Sequence, residues 1–455
     1  MALFLITHTI YRGECMLNIK DDSRKVVKGD TFIALKKVND GHNYIEEAIR
    51  NGANKVIVEK GLYDVETVIV EDTHKYLVKY LKHYYYDKIK DLKLIGMTGT
   101  NGKTTTCFLL YQALNKANIK CAYIGTIGFY IEDKIKDLNN TTPDILEIYE
   151  LLIECVKNNV EYVVMEASSQ ALDMNRLDGL EFEYGIFSNI TQDHLDYHKT
   201  MENYIKCKQK LFANVKTKTF VNIDDNYCDY FINENSITYG TNESNYQLDE
   251  YKIDLNGSCF KVNKTDYKTN LIGKHNLYNV LVVIAILNEL GIDNIQDIIQ
   301  DLQAPKGRMD VIKKDSNLII VDYAHTPDAV SKIISSVKNL KPNKIITIIG
   351  CGGNRDKTKR PIMGKIASDE SDYVIYTSDN PRFEDPVQII DDMLQNIDKN
   401  NYEIEVNREK SIIKGIQMLQ KNDILLVLGK GHENYQIIQN NKYDFDDKEI
   451  ILNNI

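Results

Sequence analysis

Apolar and polar positions along the chain follow two alternating patterns. Short runs rich in valine, isoleucine and leucine, such as 55–58 and 424–428, are followed by stretches in which apolar residues recur at helical spacing. Strands that alternate with helices predict parallel sheets with crossover helices, so the expected fold class is α/β. Between about 235 and 270 the runs become short and polar, which predicts a small antiparallel insertion. An apolar helix is expected next, over 277–290.

The same pattern divides the chain into three blocks, because 455 residues are too many for a single core. The first block ends in a helix rich in lysine and tyrosine. The second opens with a strand at 93–95 and a glycine-rich loop. The third contains four strands, each followed by a turn and a helix, at 318–321, 344–349, 373–376 and 424–428. We therefore predict a smaller N-terminal α/β domain, a central phosphate-loop domain with a mostly parallel sheet, and a C-terminal Rossmann-like α/β domain, with bounds 1–88, 89–305 and 306–455.

Composition narrows the classes of function. The formal net charge is −10, so the chain lacks the excess of basic residues that non-specific nucleic-acid binding requires, and we expect no nucleic-acid partner. The eight cysteines are scattered without zinc-site spacing, which is typical of reduced thiols. The apolar start of the chain is too short for a signal peptide, and no stretch approaches the roughly 20 apolar residues of a membrane span. We therefore expect a cytoplasmic protein, without a membrane span and monomeric.

The strongest local signal is the loop from Gly99 to Thr105, which follows a strand and opens a helix. Glycines allow backbone amides to turn toward an anion, the helix N-terminus adds its positive dipole end, and Lys103 can reach the terminal phosphates of a nucleotide. The strict phosphate-loop pattern fails by one residue, because Met97 occupies the position of the first glycine and the glycine stands at 96. The surrounding strand, helix and Gly99 still predict a nucleotide site.

The string Gly99-Thr100-Asn101-Gly102-Lys103-Thr104 resembles the phosphate loop of the Mur ligase and folylpolyglutamate synthetase superfamily. Other segments, in the same order, resemble the members that add the third amino acid of the peptidoglycan stem peptide, and the resemblance covers nearly the whole chain. These segments are Asp22-Ser23-Arg24, Asn140-Thr141-Thr142-Pro143, Met165-Glu166-Ala167-Ser168-Ser169, the stretch from Asn189 to His198, Gly307-Arg308-Met309, the stretch from Asp322 to Pro327, Gly352-Gly353-Asn354-Arg355-Asp356, Asp379-Asn380-Pro381-Arg382 and Gly429-Lys430-Gly431-His432-Glu433.

The resemblance implies a domain for a UDP-sugar, a central ATPase and a domain for the incoming amino acid. It implies that the γ-phosphoryl group of ATP activates a carboxylate as an acyl phosphate, which an amine then attacks. The residues implied for ATP are Gly99, Thr100, Asn101, Gly102, Lys103, Thr104, Thr105, Asn279 with its neighbour Asn276, Arg308 and Asp322. Those implied for catalysis are Lys103, Lys208, His194 and Glu166, and those implied for Mg²⁺ are Thr104, Glu166, His194 and Lys208.

Lys208 aligns with a lysine that these enzymes carry as a carbamate, so N6-carboxylation is implied. That modification would turn a cation into an anionic oxygen ligand. The alternative is a solvated basic helix face, since Lys206 and Lys210 are close in sequence.

The resemblance implies UDP-N-acetylmuramoyl-L-Ala-D-Glu as the acceptor. Its matching positions are Ser23, Thr141, Thr142, Ser168, Arg176 and Lys208. Met174 departs from the family pattern, in which glutamine is common, so the contact made there is open. Taken alone, Thr141-Thr142-Pro143 is equally typical of a helix start before Asp144.

The Asp379-Asn380-Pro381-Arg382 segment matches ligases that take meso-diaminopimelate, whereas lysine-adding relatives usually lack this arginine. Arg382 and Arg355 can hold a distal carboxylate by bidentate hydrogen bonds, and Glu433 can pair with a distal ammonium. The residues implied for the amino acid are Arg355, Asp379, Asn380, Pro381, Arg382, Gly429 and Glu433. The residues do not distinguish meso from L,L stereochemistry.

Several alternatives remain at this stage: the same reaction with L-lysine or another diamino acid, and a folylpolyglutamate-type or natural-product ligase of the same superfamily. From other classes, a phosphate-loop motor or regulatory NTPase would hydrolyse nucleotide without ligation, and a binding protein would lack catalysis. Intact Lys103, Glu166, His194 and Lys208 argue against the binding protein.

Overall fold

The computed structural model describes residues 17–37, 39–254 and 256–455, with the side chain of Asp196 left out. Cys15 and the apolar N-terminal run therefore lie outside the described residues. The strands are β1 Ile19–Lys20, β2 Thr31–Ile33, β3 Lys55–Val58, β4 Glu66–Ile69, β5 Lys93–Thr98, β6 Cys121–Gly125, β7 Gly128–Ile131, β8 Asp133–Lys136, β9 Tyr162–Glu166, β10 Phe182–Phe187, β11 Val215–Asn222, β12 Ser236–Gly240, β13 Tyr246–Asp254, β14 Gly257–Val262, β15 Thr265–Thr269, β16 Asp310–Lys314, β17 Asn317–Asp322, β18 Ile345–Ile349, β19 Tyr373–Tyr376, β20 Tyr402–Ile404, β21 Ile424–Leu428, β22 Tyr435–Ile438 and β23 Asn441–Asp444.

The α-helices alternate with these strands, as an α/β fold requires. They are α1 Ile45–Arg50, α2 Thr73–Ile89, α3 Lys103–Lys116, α4 Ile145–Lys157, α5 Ser169–Asp173, α6 Leu195–His198, α7 Met201–Phe212, α8 Lys274–Glu289, α9 Ile295–Gln300, α10 Pro327–Lys338, α11 Lys359–Glu370, α12 Pro386–Leu394, α13 Arg408–Met418 and α14 Asp447–Leu452. None of the helices in the described ranges is long and apolar enough to cross a bilayer.

Local sequence accounts for where the helices begin. Asp72 accepts a hydrogen bond from the Lys75 N–H at the start of α2, and that helix buries Leu77, Leu81, Tyr85 and Ile89, four residues apart. At the start of α10, Thr326 caps the Ala329 N–H, and Pro327 occupies the first turn, where a missing N–H costs nothing. The caps fix where these helices begin, and the apolar stripes determine which helix face packs on the sheets.

The chain forms two compact units. One contains the described residues up to Lys103 together with Leu110–Thr238, and the other contains Thr104–Leu109 with the described part of Tyr239–Ile455. The three predicted blocks therefore do not correspond one to one with the units, and the domain bounds stay a prediction.

Two sheets organise the first unit. Strands β1 to β4 form a parallel four-stranded sheet, and the larger sheet has the order β11-β10-β5-β9-β6-β7-β8. Its strands from β11 to β6 are parallel, whereas β7 and β8 form an antiparallel extension. Strand β5 lies between β9 and β10, so the chain departs from it in both directions, and ligands bind at such switch points beyond the carboxyl ends of strands.

The main sheet of the second unit has the order β16-β17-β21-β18-β19-β20. All its neighbours are parallel except β16 and β17. Asp322 on β17 pairs in register with Leu428 on β21, which pairs in turn with Ile349 on β18. The loops that follow these strands therefore emerge at the same edge of the sheet.

Most predicted elements are confirmed and a few bounds or pairings change. Strands at 55–58, 373–376 and 424–428 have the predicted bounds, and the predicted helix 277–290 is Lys274–Glu289. The predicted antiparallel insertion is correct for β13 to β15, but β12 pairs with β13 in parallel, through Tyr239 and Gly240. The antiparallel extension β7–β8 is an element that sequence reasoning missed.

Candidate active site

The glycine-rich loop lies between β5 and α3. Gly102 adopts a φ of 88° and forms the N-cap of the helix, a conformation that favours glycine. A Cβ on Gly99 would lie 1.9 Å from the Ser188 hydroxyl oxygen, so no side chain fits there. The Lys103 ammonium donates to the carbonyl oxygens of Gly99 and Thr100, at 2.7 and 2.9 Å. The lysine side chain thus folds over its own loop.

The loop following β10 anchors this phosphate loop. The Thr100 N–H donates to the Asn189 carbonyl oxygen at 2.8 Å, and the Asn101 N–H donates to the Asn189 side-chain oxygen at 3.0 Å. Thr104 and Thr105 follow in the first turn of α3, both buried. Helix starts leave backbone N–H groups without intrahelical partners, which suits phosphate oxygens.

Glu166 ends β9 and is completely buried. Its Oε1 accepts from the Tyr123 hydroxyl at 2.6 Å and from the Thr126 N–H at 2.8 Å, and its Oε2 accepts from the Thr126 hydroxyl at 3.1 Å. A Cβ on Gly125 would lie 2.3 Å from Oε1, so the glycine makes room for the carboxylate. The buried carboxyl group is thus fixed in place by neutral donors, and its oxygen atoms are of the type that a hard cation prefers.

Three predicted substrate positions meet beside Glu166. The Thr142 hydroxyl donates to the Glu166 carbonyl oxygen at 2.7 Å and accepts from the Ser168 N–H at 3.0 Å. The Thr141 hydroxyl lies 3.0 Å from the Thr126 hydroxyl. The acceptor positions and the proposed metal ligand therefore belong to one hydrogen-bonded group.

Arg176 joins the same group, whereas Ser23 is engaged elsewhere. The Arg176 guanidinium donates to the Thr142 carbonyl oxygen at 2.8 Å and forms an ion pair with Asp144 at 2.8 Å. The Ser23 hydroxyl donates to Glu47 Oε2 at 2.7 Å in the N-terminal sheet region. Arg176 therefore belongs to the hydrogen-bonded group beside Glu166, whereas the Ser23 hydroxyl is bonded to Glu47.

Lys208 is buried on the inner face of α7, although Lys206 and Lys210 are exposed. Its ammonium nitrogen donates to the Gly99 carbonyl oxygen at 2.8 Å, which brings α7 to the phosphate loop. Burial, with the neighbouring Lys103 charge as a second cause, holds the pKa of Lys208 well below its usual range. The solvated basic face considered from sequence therefore applies to Lys206 and Lys210 and not to Lys208.

His194 is exposed at the start of α6, in the left-handed conformation at a φ of 55°. Its Nε2 lies 3.5 Å from the Asp193 carboxylate. Within the described ranges, no three histidine, cysteine, aspartate or glutamate side chains gather as a metal site. The ligand set predicted from the sequence is not a group of this type, because it includes a threonine hydroxyl and a lysine that could bind a metal only after carboxylation.

Asn279 lies in the first turns of α8. Its side-chain oxygen accepts from the Thr106 hydroxyl at 3.0 Å, and its amide donates to the Asn276 side-chain oxygen at 3.0 Å. All three side chains are buried. This chain of hydrogen bonds ties α8 to the segment that follows the phosphate loop.

Asp322 is the last residue of β17, as predicted, and its carboxylate is bound by backbone N–H groups. It accepts from the backbone N–H groups of Met309 and Ala324 at 2.7 and 2.8 Å. Burial raises the pKa of Asp322, and the Arg308 charge opposes that rise. The Arg308 guanidinium lies 4.8 Å from the centroid of the Tyr323 ring. Arg308 and Asp322, both predicted to contact the nucleotide, are therefore neighbours.

The loops after β19 and β21 converge in a polar group. The Asn380 amide donates to Glu433 Oε2 at 2.7 Å, and the Lys430 ammonium lies 3.2 Å from the same oxygen. Gly429 has a φ of 110°, and a Cβ there would lie 2.6 Å from Asp379 Oδ2. The two loops therefore lie so close together at Gly429 that a side chain would not fit there.

Arg382 and Arg355 flank the glycine pair after β18. The Arg382 guanidinium donates to the Gly353 carbonyl oxygen at 3.0 Å, and a Cβ on Gly352 would lie 3.0 Å from it and 3.7 Å from Arg355 Cγ. A Cβ on Gly353 would lie 1.9 Å from the Pro381 carbonyl oxygen. All the residues predicted to bind the amino acid therefore lie at one edge of the six-stranded sheet.

Sequence reasoning missed several groups of the candidate site. Tyr123 and Thr126 hold Glu166, and Lys430 holds Glu433, yet none of the three was assigned a role. Lys430 could have been found, because it lies inside a quoted motif. Tyr123 gave no signal beyond its place on an apolar strand.

Comparisons with known proteins identify the family of this chain. A model of the Mur ligase middle domain matches residues 97–287, and a model of the Mur ligase glutamate ligase domain matches residues 307–431. The UDP-N-acetylmuramoyl-L-alanyl-D-glutamate–2,6-diaminopimelate ligase of Clostridium perfringens is 42% identical and covers 95% of this chain and 94% of its own. The ligase of the same name from Fusobacterium nucleatum is 43% identical, with coverages of 95% and 92%.

A solved structure gives the same result in three dimensions. It is titled as a UDP-N-acetylmuramoyl-L-alanyl-D-glutamate–2,6-diaminopimelate ligase, is 33% identical, covers 97% of this chain and 94% of its own, and superimposes with a TM-score of 0.70. Since both domain models match and relatives above 40% identity span nearly the whole chain, this chain belongs to the Mur ligase family of amide-forming ligases.

Proposed function

We propose that this enzyme uses ATP to join meso-diaminopimelate to UDP-N-acetylmuramoyl-L-Ala-D-Glu, in the synthesis of peptidoglycan precursors. The relatives' names supply the two substrates, and the polar group around Arg382, Asn380 and Glu433 is the observation that carries the proposal. An ATP-dependent ligase of this kind would act in the cytoplasm, as a monomer.

The reaction proceeds in two steps. A carboxylate oxygen of the acceptor attacks the γ-phosphorus of ATP, so the bond to the ADP oxygen breaks and an acyl phosphate forms. The amine of diaminopimelate then attacks the acyl carbon, and inorganic phosphate leaves as the nitrogen loses its proton. Both steps bring anions together, so positive groups and alignment account for most of the catalysis.

The phosphate loop supplies the first of these positive groups. Lys103 already reaches across its loop to the carbonyl oxygens of Gly99 and Thr100, which supports a role in gripping the terminal phosphates. Arg308 and Asp322 would contact the ribose and phosphate side of the nucleotide, and Asn279 would contact its base.

Magnesium fits the donor groups that are present. The buried Glu166 carboxylate and the Thr104 hydroxyl are the hard oxygen ligands that this ion prefers, and His194 and a carboxylated Lys208 would add to them. When bound, the ion would neutralise phosphate charge. The low pKa of Lys208 supports carboxylation, because only the uncharged amine combines with carbon dioxide.

The distal end of diaminopimelate carries a carboxylate and an ammonium on one carbon. Arg382 and Arg355 suit the carboxylate, and Glu433 suits the ammonium. L-Lysine lacks this carboxylate and would leave both guanidinium groups without an anion to bind, so we expect strong discrimination against it.

The decisive experiment measures phosphate release with ATP, the UDP-linked dipeptide acceptor and one of three amino acids: meso-diaminopimelate, L,L-diaminopimelate or L-lysine. We expect turnover with the meso compound and little with lysine, and no release when either the acceptor or the amino acid is omitted. Release that needs neither would favour a plain NTPase, and equal use of lysine would contradict the role of Arg382.

The variant Arg382→Ala serves as an internal test of the same proposal. We expect its KM for diaminopimelate to rise by about a hundredfold, the scale of a lost charged hydrogen-bond pair, with the KM for ATP unchanged. Wild-type kinetics with diaminopimelate would reject the assignment.

We also propose the domain bounds 1–88, 89–305 and 306–455 for the acceptor, ATP and amino-acid domains. The self-contained four-stranded and six-stranded sheets support the first and third of these bounds.

A further inference from the structure

Lys430 is a fully buried cation inside the candidate amino-acid site. Its side chain has no exposed surface, although it lies in the loop after β21 that would receive a polar ligand. Its ammonium donates to Glu433 Oε2 at 3.2 Å, to the Asn380 side-chain oxygen at 3.3 Å and to the Tyr435 carbonyl oxygen. An ammonium has three N–H donors, so the protein satisfies all of them.

The contacts of Glu433 are divided unequally between its two oxygens. Oε2 accepts from the Asn380 amide at 2.7 Å in addition to Lys430, whereas Oε1 has a contact of 3.5 Å with the Tyr435 hydroxyl. The carboxylate is therefore fixed through Oε2, and Oε1 keeps most of its capacity to accept from a ligand. The side chain is 14% exposed, so it is not sealed from the site.

The same arrangement changes the electrostatics of the site. A lone buried carboxylate would attract any ammonium, including the terminal one of lysine. With Lys430 in contact, the charge of Glu433 is already compensated, so a ligand that brings only a cation gains little. A ligand that brings an ammonium together with a carboxylate gains the two guanidinium groups of Arg382 and Arg355 as well.

We propose that Lys430 determines amino-acid specificity by acting through Glu433: it holds the carboxylate in place and cancels its attraction for a cation alone. This inference rests on the proposed function and assigns a cause for the preference for diaminopimelate over lysine. Lys430 is thus a positioning residue, since its own ammonium is spent on protein oxygens.

The test compares kcat/KM for diaminopimelate and for L-lysine in Lys430→Met, Lys430→Arg and the unaltered enzyme. In Lys430→Met we expect the preference for diaminopimelate to fall by at least about tenfold, because Glu433 becomes free to pair with the lysine ammonium. Lys430→Arg keeps the charge and should retain most of the preference. A role confined to packing would lower both kcat/KM values in proportion and leave their ratio unchanged.

A matched control and a reciprocal variant make the result decisive. Lys365→Met removes a partly exposed lysine of α11 that pairs with Asp369 and Asp398, so it should leave both kcat/KM values unchanged. Glu433→Gln removes the carboxylate, so the charge of Lys430 is no longer compensated and opposes the ammonium of the ligand. Diaminopimelate keeps its carboxylate contacts with Arg382 and Arg355, so the use of lysine should fall more than that of diaminopimelate. This variant decides the question if Lys430→Met does not fold.

The outcomes separate this inference from the proposed function. An unaltered enzyme that does not use diaminopimelate would contradict the proposed function itself. An enzyme that uses diaminopimelate, with the same substrate ratio in Lys430→Met and Glu433→Gln, would overturn only the role of Lys430.

Discussion

At the scale of single residues, burial determines the chemistry of the candidate site. Lys206, Lys208 and Lys210 are alike in sequence and lie on one helix, yet only Lys208 is buried, where its pKa is held low. Burial disfavours the charged form of an amine, and the uncharged form is the nucleophile. The environment of Lys208, and not its identity alone, therefore suits it to carboxylation.

We predict that Lys208→Ala lowers kcat by about a thousandfold or more, the scale of a lost essential electrostatic group, while added formate restores part of the activity. Formate would supply the carboxylate that a carbamate otherwise provides, in the space left by the lysine. Phosphate release measures the activity, and ¹³C NMR after equilibration with labelled bicarbonate measures the carbamate directly.

The control for this prediction is Lys206→Ala, which removes an exposed lysine paired with Glu202 on the same helix and should keep most of the activity. Lack of rescue together with lack of a carbamate signal would show that Lys208 acts only through its hydrogen bond to Gly99.

At the scale of elements, the loops that follow parallel strands are held by ion pairs behind the site. The fully buried Arg360 on α11 forms two hydrogen bonds with Glu384, at 3.0 Å each, and one with Asp392 at 2.8 Å. Glu384 also accepts from the Asn354 N–H, so the loop after β18 is fastened to the loop after β19. This ion pair therefore sets the spacing of the segments that carry Arg355 and Arg382.

The Glu384 pair gives a prediction with a defined pH dependence. Its partners, Arg360 first, lower the pKa of Glu384 to about 2 from an ordinary value of 4.5. The ionised form therefore stabilises the fold fully above about pH 4.5, and this contribution is lost as the pH falls through about 2. Glu384→Gln should cost about 2 kcal/mol at neutral pH, since it removes one of the two carboxylates that pair with the buried Arg360 and leaves Asp392.

Urea unfolding of Glu384→Gln and the unaltered protein, near pH 7 and near pH 3, measures this difference. It should shrink at the lower pH. Asp328→Asn, which breaks an exposed pair with Lys332, serves as the control and should cost less than about 1 kcal/mol. A loss for Glu384→Gln that does not depend on pH would contradict the assigned cause.

Elements also show where sequence patterns were sufficient. Strands such as β3 and β21 are short, apolar and bounded by polar residues, so their bounds could be predicted. The extension β7–β8 could not, because β8 (Asp133–Lys136) is exposed along its whole length and lacks an apolar face. Its pairing with β7 depends on backbone hydrogen bonds, which leave no trace in side-chain pattern.

At the scale of the whole molecule, a core of its own supports the proposed C-terminal domain. The C-terminal sheet buries aliphatic side chains on both of its faces, including Ile320, Leu426 and Val374 on one and Ile319, Leu425 and Ile375 on the other. Among the described buried residues of these two cores, Ile272 alone comes from before position 306. A sheet covered on both sides has the burial that an independent domain needs.

We predict that residues 306–455, expressed alone, fold into a domain that unfolds cooperatively. Circular dichroism during thermal unfolding measures this, with the full chain as the reference. A fragment cut instead at residue 345, which removes β16 and β17 from the sheet, should not unfold cooperatively. Failure of the longer fragment to fold would place the true boundary before 306, closer to the second compact unit.

The sequence by itself determined the features that depend on neighbours along the chain. These are the alternation of strands and helices, the glycine-rich phosphate loop, and the polar motifs at strand ends, because turn geometry and helix starts are local. Only the tertiary structure decided that Glu166 is held by Tyr123, that Lys208 is buried beside Gly99, and that Lys430 bonds to Asn380, fifty positions away, as well as to Glu433. Desolvation and charge pairing depend on everything packed around a group, and no window of sequence contains that information.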